Sequence, residues 1–278
     1  MLYAQLLGGV GNLSFIIATV YALALDNNDE AIFSQNLSSI TRRKNEQWWF
    51  QTFFRKVKLG KKPRDIKIIY KEPNFLYNKI PYFHNGMILQ GYFQSPKYFN
   101  HRREEILELF TDYKQDILNN LQLKLDLLPG KKISLHIRRS DYIKLQHTHN
   151  VLPIKYYENA VNILKESLGK DYNDYIYLIF SDDINWCKTQ TFLTTLPDVH
   201  FVADSDSFTK GPVEIFQLYL MSMCDHNIIA NSSFSWWGAY LNENPNKIVI
   251  SPTKWFNPGG PKKWSDIYCD NWIKCPVD

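Results

Sequence analysis

Four cysteines in 278 residues are too few and too scattered for a disulfide scaffold. Cys187 and Cys224 sit inside apolar segments, and Cys269 and Cys275 have neither zinc-site spacing nor histidine partners. All four read as reduced intracellular thiols. No run reaches the roughly 18 apolar residues that a membrane-spanning helix needs. The opening MLYAQLLGGVGN has no basic leader and runs straight into glycines, so it reads as a strand and turn rather than a signal peptide. Internal repeats and low-complexity tracts are missing as well. Neither sign of charge dominates: 32 Lys and Arg against 28 Asp and Glu leave +4, with 45% hydrophobic and 22% charged residues. That balance excludes a disordered chain, a collagen-like fibre and a coiled coil. Aromatic residues are plentiful at 15%, which suits sugar rings and protein cores alike.

Length suggests about two domains, and the pattern along the chain agrees. Leu2–Leu7 reads as a strand, Gly8–Gly11 as a tight turn, and Asn12–Leu25 as an apolar helix capped near Asn12. Ile66–Tyr70 and Met87–Gln90 read as strands, and Pro96–Leu127 carries a long helical period. Pro129-Gly130 is the clearest boundary signal, dividing the chain into 1–128 and 129–278. Beyond it, strands at 133–137, 175–180, 200–202, 227–230 and 247–250 alternate with helices at 156–168, 184–193, 213–224 and 235–241. Continuous apolar strands alternating with helices predict parallel sheets covered on both faces. The expected fold is therefore α/β, two Rossmann-like domains facing a cleft, with ligands beyond the carboxyl ends of the strands.

Residues 41–71 combine eleven Lys and Arg with only Glu46 and Asp65, and carry Trp48, Trp49, Phe50, Phe53 and Phe54. The aromatics recur at helical spacing. One reading is a core-packed helix with solvated lysines; another is an interfacial helix drawn to anionic lipid headgroups, giving peripheral membrane contact. Nucleic acid is not expected as a partner, because no binding module is recognisable.

Five segments could carry chemistry. Gly8-Gly9-Val10-Gly11-Asn12 would expose backbone N–H groups at a helix start. Its match to a dinucleotide fingerprint is degraded, with Ser14 in the place of the third glycine. His136-Ile137-Arg138-Arg139-Ser140-Asp141-Tyr142 gathers charges at a strand end. Arginine's fork suits a diphosphate, although a structural ion pair with Asp141 is the plainer reading. Asn231-Ser232-Ser233-Phe234-Ser235-Trp236-Trp237-Gly238 opens a helix, as an anion site or as a capping run led by Ser235. Asp182-Asp183 and Asp204-Ser205-Asp206 end two further strands; either could hold a divalent cation, and the first pair could equally cap the next helix.

The wording and order of these motifs, with Gly91-Tyr92-Phe93-Gln94-Ser95-Pro96-Lys97-Tyr98-Phe99, Phe180-Ser181-Asp182-Asp183 with Trp186, and the run Leu220–Tyr240, resemble glycosyltransferase family 11, the inverting α-1,2-fucosyltransferases. The resemblance spans most of the chain but little of residues 27–80. It implies a GT-B-like fold and GDP-β-L-fucose as donor. It also implies metal-independent transfer to a sugar hydroxyl, usually the 2-OH of galactose, in a glycan that the basic-aromatic stretch suggests is lipid-linked. The enzyme would then be cytoplasmic and peripheral at the membrane.

The resemblance further implies that Arg138 binds phosphate, with His136, Arg139 and Asp141 as its neighbours, and that Ser233, Phe234 and Ser235 close on the diphosphate. Gly9, Gly11 and Asn12 become the acceptor-side turn. For the base that takes the acceptor proton, Asp141 leads, followed by His136 and His149. Two positions depart from the family. Leu13 replaces a usual Gln, and Gln217 stands where an acid reads guanine, with Glu214 one helical turn earlier. Competing expectations are a metal-dependent transferase, or one with another donor, using Asp204 and Asp206, and a non-catalytic GDP- or glycan-binding module.

Overall fold

Two parallel sheets organise the protein. The computed structural model describes residues 1–35, 46–112, 121–122, 125–126, 128, 130–202 and 213–277. The chain divides into two compact units, residues 1–116 with 263–269, and residues 117–262 with 270–278. The second unit thus takes in residues ahead of the expected boundary, while a short C-terminal stretch belongs to the first; Pro129 itself lies outside the described residues.

In the first unit the elements are β1 (Leu2–Ala4), α1 (Val10–Asp26), β2 (Ala31–Ser34), α2 (Glu46–Gln51), β3 (Leu59–Gly60), β4 (Ile69–Lys71), β5 (Met87–Gln90) and α3 (Arg103–Thr111). The strands form one five-stranded parallel sheet in the order β3-β2-β1-β5-β4. Phe15, Ile16, Ile17 and Val20 of α1 are fully buried, as befits a helix that is apolar nearly all round. The long helix expected over 96–127 is interrupted. Ser95 caps a 3-10 turn at Pro96–Tyr98, a second follows at Asn100–Arg102, and only then does α3 begin.

The aromatic stretch resolves in favour of core packing. Trp49, Phe53 and Phe54 are buried, and Phe53 stacks on Phe110 of α3 at 5.0 Å. The cations that follow are paired: Arg55 and Lys56 with Asp112, and Lys58 with Glu30. An interfacial helix needs that aromatic face free, and here the core has claimed Trp49, Phe53 and Phe54 and leaves Trp48 45% exposed.

In the second unit, β6 (Lys131–Ile137), α4 (Ser140–Lys144), α5 (Ile154–Leu168), β7 (Tyr175–Ser181), α6 (Ile184–Thr189), α7 (Thr191–Thr194), β8 (Val199–Phe201), α8 (Val213–Ser222), β9 (His226–Ile228), α9 (Ser233–Tyr240), β10 (Val249–Pro252) and β11 (Ile273–Cys275) follow in order. The six strands run parallel as β11-β10-β9-β6-β7-β8. Ile133, Leu135, Tyr177, Ile179, Ile228 and Ile250 of this sheet pack with Tyr156, Ala160 and Leu164 of α5 in one apolar cluster. Apolar residues at both inward and outward strand positions are what a doubly covered parallel sheet requires. The four cysteines are free thiols.

Candidate functional site

Because β9, β6 and β7 are neighbours in the second sheet, the loops leaving their carboxyl ends must meet. Those loops are Asn231-Ser232, Arg138-Arg139 and Asp182-Asp183, so three segments far apart in sequence share one end of the sheet. Arg138 makes a two-pronged bond to Asp141, Nε to Oδ1 at 2.9 Å and Nη2 to Oδ2 at 2.8 Å. Asp182 Oδ2 lies 3.2 Å from the same Nε. Asp182 also accepts from the Arg139 backbone N–H at 2.9 Å, and its carbonyl accepts from the Ser140 hydroxyl at 2.8 Å. Burial works against the charge of Arg138, but Asp141 and Asp182 outweigh it and hold its pKa above the ordinary arginine value. Burial likewise acts to raise Asp141, and Arg138 prevails to leave it below the usual carboxylate range. The site therefore carries a fixed guanidinium whose geometry is set by two carboxylates.

Arg139 is held differently. Its guanidinium lies 3.9 Å over the Trp186 ring and 3.4 Å from Asp183. Asp183 caps α6 by accepting from the Trp186 N–H. The Asp182-Asp183 pair is thus spent on arginines and a helix cap. Asp204 and Asp206 lie outside the described residues, and no cluster of metal-binding type occurs among the described ones.

His136, 3% exposed, packs its ring 5.7 Å from Phe234, and its Nδ1 is buried without a hydrogen-bond partner. Burial, assisted by Arg138, pushes its pKa down to about 3, so the imidazole is neutral. The linkage sign follows. The unfolded chain takes up a proton near pH 6.5 that the folded chain refuses, so stability falls as pH drops from 6.5 toward 3. Between pH 6.5 and 5 we expect the wild type to lose about 2 kcal/mol more than His136→Gln, at about 1.4 kcal/mol per pH unit. Urea unfolding at the two pH values measures it.

Tyr142 ties the segments together. Its hydroxyl donates to the Asn231 carbonyl at 3.0 Å, and its ring stacks on His149 at 4.4 Å. Burial lowers the His149 pKa as well. Asn231, 1% exposed, donates from Nδ2 to the carbonyls of Asn150 and Trp255 at 2.9 and 2.8 Å. Ser232, not Ser235, caps α9. The sequence expectation placed the cap three residues late because any of the serines suits the role, whereas Asn231 fixes where the strand turns. Ser235 is buried within the helix with its hydroxyl turned to the Ser232 carbonyl, while Ser233 and Phe234 stay partly exposed at its first turn. On α8, Glu214 and Gln217 share a partly exposed face, with Ile215, Phe216 and Leu218 buried.

The first unit presents its own loops at the carboxyl ends of β1, β4 and β5. Gly8 adopts φ +85°, and a Cβ there would lie 2.5 Å from the Asn12 amide nitrogen, so this turn requires glycine. The helix starts at Val10 with Gly9 as N-cap, leaving Asn12 inside the first turn rather than at the cap. Asn12 accepts from Gln94 Nε2 at 2.8 Å. Gly11 is buried, as is Leu13, the position that departs from the family, at 1% exposure; its side chain belongs to the core. Glu72 carries no motif and was missed from sequence. Its Oε2 accepts from the N–H groups of Tyr92 and Phe93 at 2.7 and 3.0 Å, and its Oε1 is buried without a partner. Burial raises its pKa against those two bonds, and Phe93 is held at φ +51°. A Cβ on Gly91 would meet Glu72 Cβ at 2.4 Å. Gly91→Ala should therefore destabilise by about 1–3 kcal/mol through overpacking, read as a lowered Tm.

The profile of Glycosyl transferase family 11 matches residues 12–275. The chain belongs to glycosyltransferase family 11. It is 33% identical to the O-antigen biosynthesis glycosyltransferase WbnK of Escherichia coli, covering 98% of this chain and 99% of that protein. It is also 33% identical to an alpha-1,2-colitosyltransferase of Escherichia coli, over 64% of this chain and 61% of that one. In fold it is similar to the fucosyltransferase NodZ from Bradyrhizobium, with TM-score 0.54, 11% identity and coverage of 86% and 92%; NodZ has also been co-crystallized with GDP and soaked with GDP-fucose. This family-11 glycosyltransferase thus has the α/β architecture of the GT-B fucosyltransferases.

Proposed function

We propose that the enzyme transfers L-fucose from GDP-β-L-fucose to a sugar hydroxyl, the 2-OH of a terminal galactoside, with inversion and without a metal. The observation that carries this reading is Arg138, charged and aimed by Asp141 and Asp182 beside the first turn of α9. In an inverting transfer the acceptor oxygen forms a bond to the anomeric carbon as the bond to the diphosphate breaks on the opposite face. Negative charge then builds on the departing GDP. Arg138 and the positive end of the α9 dipole at Ser233 would stabilise that charge, with Arg139 reinforcing the field from its fixed place on Trp186.

Asp141 has both oxygens on Arg138, so in the resting site it orients the arginine. His136 and His149 have lowered proton affinity, which makes both weak bases at neutral pH. Glu214 and Gln217 would accept from the guanine N–H groups. Gly9, Gly11 and Asn12, braced by Gln94, would shape the acceptor side. A cytoplasmic enzyme in peripheral contact with the membrane through residues 41–71, acting on a lipid-linked glycan, completes the proposal.

A different donor sugar, GDP-colitose, is favoured by one observation, the colitosyltransferase relative at 33% identity. A transfer assay with GDP-fucose and GDP-colitose against a panel of galactosides, with linkage read by NMR, decides between them. We expect α-1,2 product, full activity in excess EDTA, and GDP binding at least tenfold tighter than UDP. Equal GDP and UDP affinities would sink the guanine assignment, and loss of activity in EDTA would revive the metal-dependent reading. Tight GDP binding with no release from any donor–acceptor pair would leave a binding module.

A further inference from the structure

Once Arg55, Lys56 and Lys58 are paired, a second group of cations remains. Lys61, Lys62, Arg64, Lys67 and Lys71 have no ion-pair or hydrogen-bond partner among the described residues, and all five are exposed. Asp65 is the one acid among residues 61–71. Five cations against one acid amount to the whole formal net charge of the chain, +4.

Topology explains why these side chains stay in solvent. β3 and β4 are opposite edges of the first sheet and run parallel. Residues 61–68 must therefore cross four strand spacings, about 19 Å, and return to the amino end as well. Eight residues reach roughly 27 Å fully extended, so most of the segment's length goes into the crossing, with a bend at Arg64-Asp65. Its far end lies at the amino ends of β4 and β5. A Cβ on Gly86 would meet Ile66 Cδ1 at 2.8 Å, and Ile88 N–H donates to the Ile68 carbonyl at 2.9 Å.

Two large apolar side chains emerge at that end. Ile69 is 46% exposed on the edge strand, on the same side of β4 as Lys71, and Phe83 is 41% exposed. Phe83 closes a turn onto Gly86, its carbonyl accepting from the Gly86 N–H at 3.0 Å. The acids at this end are already engaged, Asp29 by the Met1 ammonium and Tyr82, Glu30 by Lys58. What faces solvent is a strip of exposed cations, bent at Arg64-Asp65, with an aromatic and an aliphatic side chain exposed near its far end.

We infer that this strip, residues 61–71 with Phe83, binds the surface of an anionic lipid bilayer. The cations meet the headgroups, and Phe83 and Ile69 enter the headgroup–acyl boundary. The inference narrows the membrane contact proposed above to residues that follow α2, whose Trp49 lies in the core. It uses none of the residues assigned to donor or acceptor.

Sedimentation with vesicles tests it, using phosphatidylcholine alone and phosphatidylcholine mixed with phosphatidylglycerol. The full chain should sediment only with the mixed vesicles and come off as salt rises. Each cation removed should cost about fivefold in partitioning. The triple variant Lys61→Gln, Lys62→Gln, Lys67→Gln should then bind about a hundredfold more weakly, with unchanged Tm and unchanged transfer to a soluble acceptor. Phe83→Ser should weaken binding without altering its salt dependence. Wild-type protein left in the supernatant with mixed vesicles, or a triple variant that sediments like wild type, overturns the inference. So does tighter binding to a single-stranded oligonucleotide that is indifferent to Phe83→Ser. Because the readout is sedimentation, its failure would leave the donor and acceptor readings standing, and theirs would leave this one.

Discussion

Arg138→Ala is expected to lower kcat at least a hundredfold while leaving the protein folded. Removing one preorganised donor from a comparable charge-stabilising site costs about 2.7–4 kcal/mol in the transition state, a factor of about 10²–10³. The two carboxylates that lose their partner, Asp141 and Asp182, have side chains 48% and 21% exposed, so water takes over their solvation and the fold survives. Arg138→Lys separates charge from geometry. An ammonium retains the charge but cannot meet both Asp141 oxygens at once, so it should recover part of the rate and no more. Steady-state kinetics with circular dichroism on both variants checks this. A loss below tenfold for Arg138→Ala, about 1.4 kcal/mol, would remove Arg138 from the role of principal charge stabiliser.

The second large effect is on stability. Asn231→Ala deletes the amide that donates to the carbonyls of Asn150 and Trp255. The site is closed to water at 1% exposure, so both acceptors lose their bond inside the protein. Each orphaned group costs about 1–3 kcal/mol, and the expected loss is about 2–4 kcal/mol. It should appear as a lower urea midpoint with an unchanged m-value. Asn231→Asp keeps the shape but turns the donor into an acceptor facing two carbonyls, and should be no better than alanine. Activity should fall in both variants, because Asn231 sets the start of α9 and its own carbonyl holds Tyr142. An Asn231→Ala variant with a wild-type midpoint would show that the loop has other supports.

Much of this enzyme was legible before folding was considered. The parallel architecture follows from continuous apolar strands such as Tyr175–Ser181, which need cover on both faces. The motifs around Arg138 and Ser233 singled out the segments on which the proposed chemistry is placed, through residue types that are costly to bury without a partner. The sequence by itself also fixed the family, since its motifs are local strings. Long-range pairing was not legible. The sequence left Asp141 open as a base or as an orienting partner, and its 2.8 Å bond from Arg138 appears only in the folded chain. The place of Asp182 turned on β6 and β7 being neighbours, a property of strand order that no local pattern encodes.

Glu72 marks the same limit in the first unit. An isolated acid in a stretch without motifs gives no signal, and it acquires a role only when β4 and β5 pair and bring the Tyr92 and Phe93 amides to it. The basic stretch shows both sides within one segment. Its charge and aromatic content were countable from composition, but which cations find an acid and which stay in solvent depends on distances of a few ångströms between elements. Local sequence sets propensity and chemical type; only the packed sheet sets who stands next to whom, because electrostatic and hydrogen-bond energies fall off within that range.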